Sequence, residues 1–501
     1  MTSAASGPPQ VFVLGSGTAA DRGLIGGKAW SIQRMSALGL PVPPAFVLTT
    51  GAGRHIRLAG DELPAAVWDA VLAAVAELEE ATGRRFGAGP RPLLVSVRSG
   101  AATSMPGMMD TVLNLGMNDD VERALAAQSE DRSFAADTHR RFRAQFEKVV
   151  GRRPSGDPWE QLRRAIVAVF CSWHSPRAVA YRETRGLSHD AGTAVTVQAM
   201  VFGNLDDRSG TGVLFTRDPL TGDPEPYGEW LPRGQGEDVV SGRADALAAA
   251  DLASAMPDVH ADLLAAAARL EADGRDVQDI EFTVESGRLW LLQTRAAKRS
   301  PQAAIRHAIL LRRLGLITTG EALDRVRPEQ VGALLTPHLD VTEAAATTPV
   351  ATGKPACPGI ATGLVVTDAA VAMEHADRGE TVILARPTTD PDDVMGMSVA
   401  AAVLTELGGS TSHAAVVCRE LAVPCVVGCG VQTLMGLAGR VVTVDATAGA
   451  VYPGTLTVVP GAPADDPDIA LLTRWARAES PHAAPGSLPE LLVRREMERM
   501  Q

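Results

Sequence analysis

The segment GGSTSHAAVV at 408–417 places one histidine, His413, after two glycines and three hydroxyl residues and before a run of small residues. Gly408 and Gly409 permit a tight turn and close approach of a ligand. Thr411 or Ser412 can N-cap a helix of 413–422, which puts His413 in its first turn. Free backbone N–H groups and the positive end of the helix dipole favour an anion there. The same field disfavours an imidazolium, so the ring is expected to stay neutral and nucleophilic. A neutral imidazole that attacks a phosphoryl group leaves phosphate beside those donors. The segment suits a phosphohistidine.

A second set of chemistry-bearing residues lies on DIEFTVESGRLWLLQTR at 279–295. Two alternating runs around a Ser-Gly turn predict a hairpin. Asp279 and Glu281 are two apart and share a strand face, as do Gln293 and Arg295 on the partner strand. Two carboxylates, an amide oxygen and an arginine can hold Mg²⁺ on a polyphosphate. Arg98 leaves the strand LLVSVRS (93–99) for a loop rich in Gly, Ser and Met. Its guanidinium can grip two phosphate oxygens, and the small residues let backbone N–H groups approach. Lys28 follows Gly26 and Gly27 without the spacing of a Walker A loop.

These residues need a scaffold. Residues 10–110 alternate strand-like segments (VFVL, FVLTT, LLVSVRS) with a helix predicted over 26–40 that stops at a glycine. Residues 119–190 read as helical, with apolar stripes in RRFRAQFEKVV and WEQLRRAIVAVFCSW. Strands return at 193–240, an Ala-rich helix follows at 245–275, and AAIRHAILLRRLGL (303–316) is amphipathic. DVTEAAATTPVATGKPA (340–356) and VVPGAPADDP (458–467) read as linkers by composition. Between them, GLVVTD, TVILA, AAVLTE, PCVVG and RVVTVDA read as short strands around the His413 helix. A short helix and a polar tail end the chain.

The predicted fold class is α/β and α+β, multidomain. The expected boundaries are 1–118, a helical insert at 119–190, 191–300, a helical linker at 301–356, a compact unit at 357–460, and a linker with tail at 461–501. Of 501 residues, 46% are hydrophobic and 21% charged, as in a folded soluble protein. The net charge of −12 argues against general nucleic-acid affinity. Five cysteines without a paired C-x-x-C spacing read as reduced cytoplasmic thiols. The start, MTSAASGPPQ, lacks a signal-peptide pattern, and no apolar run is long enough to span a membrane.

GGSTSHAAVVCRELAVPCVVGC (408–429) closely resembles the phosphohistidine segment of pyruvate phosphate dikinase and its relative phosphoenolpyruvate synthase. SVRSGAATSMPGMMDTVLNLGMND (96–119) resembles the dikinase nearly continuously, and its Met-rich form separates the dikinase from the synthase. LIGGKAWSIQRMSALGLPVPPAFVLTT, FGNLDDRSGTGVLFTRDPLTGD and YGEWLPRGQGEDVVSG follow the same family, so the resemblance covers roughly 20–480. It implies an ATP-grasp nucleotide-binding domain with a helical insert (1–300) and a swivelling β/α phosphohistidine domain (357–460). It makes His413 the carrier and places Lys28, Arg98, Gln235, Asp279 and Arg295 on ATP or its phosphates. Either Arg140 or Arg141 joins them from an Arg-Arg-Phe run. Glu281 and Gln293 become Mg²⁺ contacts, and Thr411 matches a threonine phosphorylated for regulation in plant dikinases.

The implied reaction uses MgATP and inorganic phosphate to phosphorylate His413, releasing AMP and pyrophosphate. In the family, a β/α barrel then passes the phosphoryl group to pyruvate, making phosphoenolpyruvate. No barrel pattern follows DPDIALLTRWARAESP (466–481), so a separate barrel subunit is the expected partner for the second half-reaction. Two alternatives stand beside this: a stand-alone phosphotransferase for another small acceptor, and a non-catalytic nucleotide-sensing regulator. Arg98, Glu281 and His413 all retain chemically competent side chains, which argues against the regulator.

Overall fold

A computed structural model describes residues 10–17, 19–58, 60, 62–103, 105, 107–236, 238, 246–335, 338–459, 466–479 and 486–500. The start of the chain, most of the segment read as the second linker and part of the tail lie outside these residues, as do 237 and 239–245 of YGEWLPRGQGEDVVSG. The chain forms two compact units. One comprises 1–211, 232–234 and 281–294, and the other 212–231, 235–280 and 295–501.

The first unit is built on an antiparallel sheet. Its strands lie in the order Val11–Val13, Ala45–Leu48, Ala194–Ala199, Val95–Gly100, Thr111–Leu115. Every residue of the two strands Ala45–Leu48 and Ala194–Ala199 is buried, because both faces are covered. Phe46, Leu48, Val195 and Val197 face a large core with the helices Ala65–Thr82, Arg132–Val150 and Pro158–Cys171. Val47 and Ala194 turn the other way, onto Ile25 and Ala29 of the helix Arg22–Ala37. The period-two alternation therefore places one helix on one face and a helical layer on the other.

That helix begins earlier than predicted. Asp21 caps it by accepting the Gly23 N–H at 2.7 Å, and the backbone leaves helical geometry at Gly26, where φ is 75°. The Gly-Gly-Lys run is thus a kink inside a helix rather than its start.

A second five-stranded sheet has the order Leu247–Ala248, Tyr227–Pro232, Gly210–Phe215, Gln278–Glu285, Arg288–Ala296, and the chain passes between units along its strands. The predicted hairpin is its last pair, with Ser286 and Gly287 at the turn, both at positive φ. The predicted helix at 245–275 is interrupted: Pro257 starts a new helix to Gly274, and Met256 before it leaves helical geometry, at φ −146° and ψ 78°, since a residue preceding proline is kept out of the α region.

In the second unit, helices Pro301–Arg313, Thr319–Asp324 and Pro328–Leu334 pack with Pro467–Glu479 and Leu488–Met500 around Ile305, Ile309, Leu311, Leu472, Leu488 and Leu492. The sequence reading made the last of these a polar tail. Its apolar residues recur at 488, 491 and 492, and they belong to this core.

The His413 region is an eight-stranded sheet, in the order Ala351–Thr352, Ala450–Pro453, Val441–Asp445, Ile360–Val366, Val382–Arg386, Ala402–Thr405, Cys425–Val427, Lys354–Cys357. Ile360–Val366 through Cys425–Val427 run parallel. The helices Ala369–Asp377, Val394–Val399 and His413–Leu421 lie in the crossovers between them. Residues 351–356, read as linker from their Gly, Pro and Thr content, supply both edge strands of this sheet, the second running on to Cys357. His338–Leu339 pairs antiparallel with Val458–Val459, so the strands entering and leaving the sheet form a two-stranded ribbon. Four of the five cysteines are buried here, and burial pushes Cys357 and Cys429 up to about 12, so they behave as small apolar residues.

Candidate functional site

In the first unit two loops are stapled together. The Gly27 N–H donates to the Ala101 carbonyl at 2.9 Å, and Lys28 Nζ donates to the Ser99 carbonyl at 2.7 Å. A Cβ on Gly26 would stand 1.9 Å from the Gly100 carbonyl oxygen, so only glycine fits. The Gly100 N–H is held by Thr193 Oγ1 at 3.1 Å. This contact aligns Lys28 with the end of the strand that carries Arg98. Arg98 Nη2 reaches Glu281 Oε2 at 3.3 Å, and both side chains keep some exposure, 17% and 25%. Three residues named from the sequence thus meet from three distant chain segments.

Gln293 lies on the strand paired with that of Glu281, and its Oε1 is buried with no hydrogen-bond partner. Such an orphaned acceptor is costly unless something fills it. A cation ligated by oxygen would do so, with the Glu281 carboxylate as second donor. Among the described residues no cluster of three or more His, Cys, Asp or Glu is built to hold a metal. The donors therefore fit Mg²⁺ that brings phosphate oxygens and water with it.

Met105 and Met108, in the Met-rich loop, are buried. Arg140 and Arg141 both close on Asp137 of their own helix, Arg141 Nε at 2.6 Å from Oδ2. Burial alone would raise the Asp137 pKa. The hydrogen bonds from the two arginines outweigh it and hold the carboxyl below its usual range. The structure does not choose between them.

Asp279 and Arg295 lie in the second unit. The Ala297 N–H to Val277 carbonyl bond of 2.8 Å sets the local register, and Arg295 Nε bridges to Asp279 Oδ2 at 2.7 Å. Asp279 is 3% exposed, so the arginine balances a buried charge. Gln235 is buried in a turn in which its N–H donates to Asp238 Oδ2 at 3.1 Å.

His413 opens the helix His413–Leu421, after the carboxyl end of the parallel strand Ala402–Thr405. Open parallel sheets bind ligands at that edge. Ser412 is the N-cap residue, but its side chain caps nothing, and its Oγ is buried without a partner. Nε2 of His413 is likewise buried and unpartnered. Burial lowers the His413 pKa, and that effect outweighs the Asp390 charge and hydrogen bond, which act the other way. A pKa below the ordinary histidine value favours the neutral ring near pH 7.

The residues just before it are clasped. Glu229 Oε1 accepts the Ser410 N–H at 3.2 Å and its Oγ–H at 3.1 Å, and Glu229 Oε2 accepts the Thr411 hydroxyl at 2.5 Å. The Tyr227 hydroxyl also meets Ser410 Oγ at 2.5 Å. A Cβ on Gly409 would stand 2.2 Å from Glu229, which explains that glycine. From the far side Arg419, 3% exposed, donates Nη1 to the Ser410 and Ala356 carbonyls at 2.9 and 3.1 Å. Sequence reasoning missed Tyr227, Glu229, Arg419 and Asp390. The only local signal was the Tyr-x-Glu alternation, which puts two polar side chains on one strand face.

Comparison with known proteins bears on this arrangement. Residues 57–247 match the family model described as pyruvate phosphate dikinase, AMP/ATP-binding domain, and residues 379–449 match the PEP-utilising enzyme, mobile domain. The chain is 39% identical to a pyruvate, phosphate dikinase of Rhizobium meliloti (strain 1021), over 93% of this chain and 60% of that protein. It is 38% identical to chloroplastic pyruvate, phosphate dikinase 1 of Arabidopsis thaliana, over 94% of this chain and 55% of that one. With the pyruvate, phosphate dikinase of Clostridium symbiosum the values are 39%, 84% and 54%. The chain thus spans about half to three fifths of the curated relatives it matches. It carries the nucleotide-binding domain of the pyruvate phosphate dikinases and the mobile domain of the PEP-utilising enzymes. No helix among the described residues is long and apolar enough to cross a membrane.

Proposed function

We propose that this chain is a dikinase-type phosphotransferase that uses MgATP and inorganic phosphate to phosphorylate its own His413, releasing AMP and pyrophosphate. The observation that carries this reading is the buried, unpartnered Nε2 of a neutral His413 at the start of a helix whose N-cap side chain leaves the first N–H groups open. Lys28 and Arg98 take phosphate oxygens, with Arg140 or Arg141, Gln235 and Arg295 as further contacts. Glu281 and Gln293 hold Mg²⁺, and Asp279 steadies Arg295. When bound, Mg²⁺ screens the charge of the triphosphate.

Attack by the Nε2 lone pair on the β-phosphorus forms the N–P bond as the α,β-bridging oxygen departs with AMP. Inorganic phosphate then accepts the terminal phosphoryl as pyrophosphate, leaving one phosphoryl on the ring. Transfer onward to pyruvate, giving phosphoenolpyruvate, is assigned to a barrel of the kind the longer dikinases carry, reached as a separate subunit. Regulation at Thr411 would require its hydroxyl to leave Glu229 first, since it is 4% exposed.

The test uses ATP labelled separately at the β and γ positions, Mg²⁺, wild type and His413→Ala, with and without phosphate. Acid-labile β-label on wild type only, with γ-label released as pyrophosphate on adding phosphate, is the expected result. Wild type that takes no label would sink the reading.

A further inference from the structure

Val112 and Leu115 both face the large core of the first unit, although they stand three apart on one strand. Regular alternation forbids this. A bulge permits it. Leu113 and Asn114 together oppose Ser96, between the pairs Val95–Leu115 and Val97–Val112, and Asn114 takes φ 58°. Gln145 Oε1, from the helix Arg132–Val150, accepts the Leu113 N–H at 2.8 Å and so holds the bulge. The bulge reverses the phase of the residues before it. Thr111 pairs beside Arg98, and Asp110 meets the helical layer, whereas unbroken alternation from Leu115 would have put its carboxylate on the Arg98 face. There Asp110 is gripped. Its N–H donates to Ser172 Oγ at 3.2 Å, and its carboxylate pairs with Arg177 Nη2, while Arg177 Nε donates to the Met108 carbonyl at 3.2 Å. The turn between Ser172 and Arg177 is itself braced. Arg182 is buried, its guanidinium carbon lies 4.0 Å from the centre of the Trp173 ring, and its Nη1 donates to the Trp173 carbonyl at 2.8 Å. The loop that leaves the Arg98 strand is therefore fixed at both roots: on Gly27 through Ala101, and on Arg177 through Met108 and Asp110.

We propose that Arg177 is a positioning residue for the triphosphate: its grip on Met108 and Asp110 sets the loop beside Arg98 in its nucleotide-ready form before ATP arrives. A loop that must be ordered on binding subtracts that ordering from the affinity, and one ordered beforehand does not. The planar guanidinium fork serves a carbonyl and a carboxylate at once in fixed directions, which an ammonium point charge does not. Arg177 itself never touches phosphate. Turning Asp110 onto it also keeps a negative charge off the face where Arg98 stands. This inference rests on the reading of Arg98 and its loop as the triphosphate contacts.

The experiment compares the full chain as wild type, Arg177→Gln, Arg177→Lys and Asp110→Asn, by amide hydrogen exchange without nucleotide and by titration calorimetry with MgATP and with adenosine. Arg177→Gln is expected to speed exchange over 107–110 by about tenfold. It should weaken MgATP binding by about tenfold and leave adenosine binding unchanged, because adenosine carries no phosphate for the loop to meet. A general loss of stability would weaken both ligands alike. Arg177→Lys, which keeps the charge without the fork, should fall between wild type and Arg177→Gln. Asp110→Asn should reproduce Arg177→Gln, and the double variant should bind MgATP no more weakly than either alone, since both remove one pairing. Variants that bind MgATP as wild type does, or that lose MgATP and adenosine equally, would overturn the proposal. If Arg177→Gln does not fold, Asp110→Asn decides by the same two ligands. A wild type that binds adenosine and gains nothing from the triphosphate would instead overturn the proposed function, and this inference with it.

Discussion

Thr411 donates its hydroxyl to Glu229, a buried carboxylate on a strand that lies 182 residues away in sequence. Ser410 offers both its N–H and its hydroxyl to the same side chain. One carboxylate thus organises the approach to His413. Hydrogen bonds to a charged group contribute about 1.5–3 kcal/mol each. Glu229→Gln is expected to speed amide exchange across 408–414 by about ten- to a hundredfold, while leaving exchange in the first unit unchanged. Unaltered protection at Ser410 would show that the clasp is not what holds the segment.

Gly26 offers a steric test of the Lys28 loop. Its φ of 75° and the 1.9 Å approach of a Cβ to the Gly100 oxygen both forbid alanine. Gly26→Ala is expected to cost on the order of 3 kcal/mol and to abolish nucleotide binding. Gly436→Ala, where nothing lies within 4 Å, is the control and should unfold with wild type. Thermal unfolding and a fluorescent ATP analogue read both effects.

Arg98 and Glu281 are expected to part when MgATP binds, because one suits phosphate and the other metal. Arg98→Ala should then weaken ATP binding with or without Mg²⁺. Glu281→Gln removes a negative charge facing the triphosphate and frees Arg98. It should bind metal-free ATP at least as well as wild type and lose most of the gain that Mg²⁺ confers. Titration calorimetry in both buffers separates the two, and a Glu281→Gln that weakens metal-free binding would contradict the assignment.

Much of this site was legible in the sequence, for identifiable reasons. The Gly-Gly-Ser-Thr-Ser-His run carries its turn and helix start locally, and the 279–295 hairpin carries its alternation and its Ser-Gly turn. What was not legible depends on distant partners. Residues 351–356 look like linker because edge strands need only backbone pairing, here to Val451, Ala450 and the strand Cys425–Val427. Helix Leu488–Met500 carries charges all round, and only its packing with Ile305 and Leu472 marks its apolar stripe as core. Glu229 has no local motif, since its role is written in the loop it grips.

His307 gives a pH dependence unrelated to the reaction. It is fully buried, and desolvation together with the cations Arg299 and Arg217 lowers its pKa to about 3. The unfolded chain takes up a proton near pH 6.5 that the folded chain refuses. Its contribution to stability is therefore complete above about pH 6.5 and is lost progressively as pH falls toward 3. At pH 5 the loss is about 2 kcal/mol. His307→Leu should remove that part of the acid sensitivity, so urea midpoints at pH 8 and pH 5 should lie closer together than in wild type. An undiminished gap would assign the acid loss to other groups.

The ribbon formed by His338–Leu339 and Val458–Val459 also bears on how far His413 can travel. A single-stranded tether transmits almost no torque, so its cargo can tumble. Two paired strands bend readily out of their plane but resist shear along it, since sliding would break their register. Were the sheet that carries His413 to swing on such a strap, as the proposed transfer requires, it would move as a door does, along an arc rather than by tumbling. Orientation would then be conserved through the stroke, and the search for each docking site reduces to one angular coordinate.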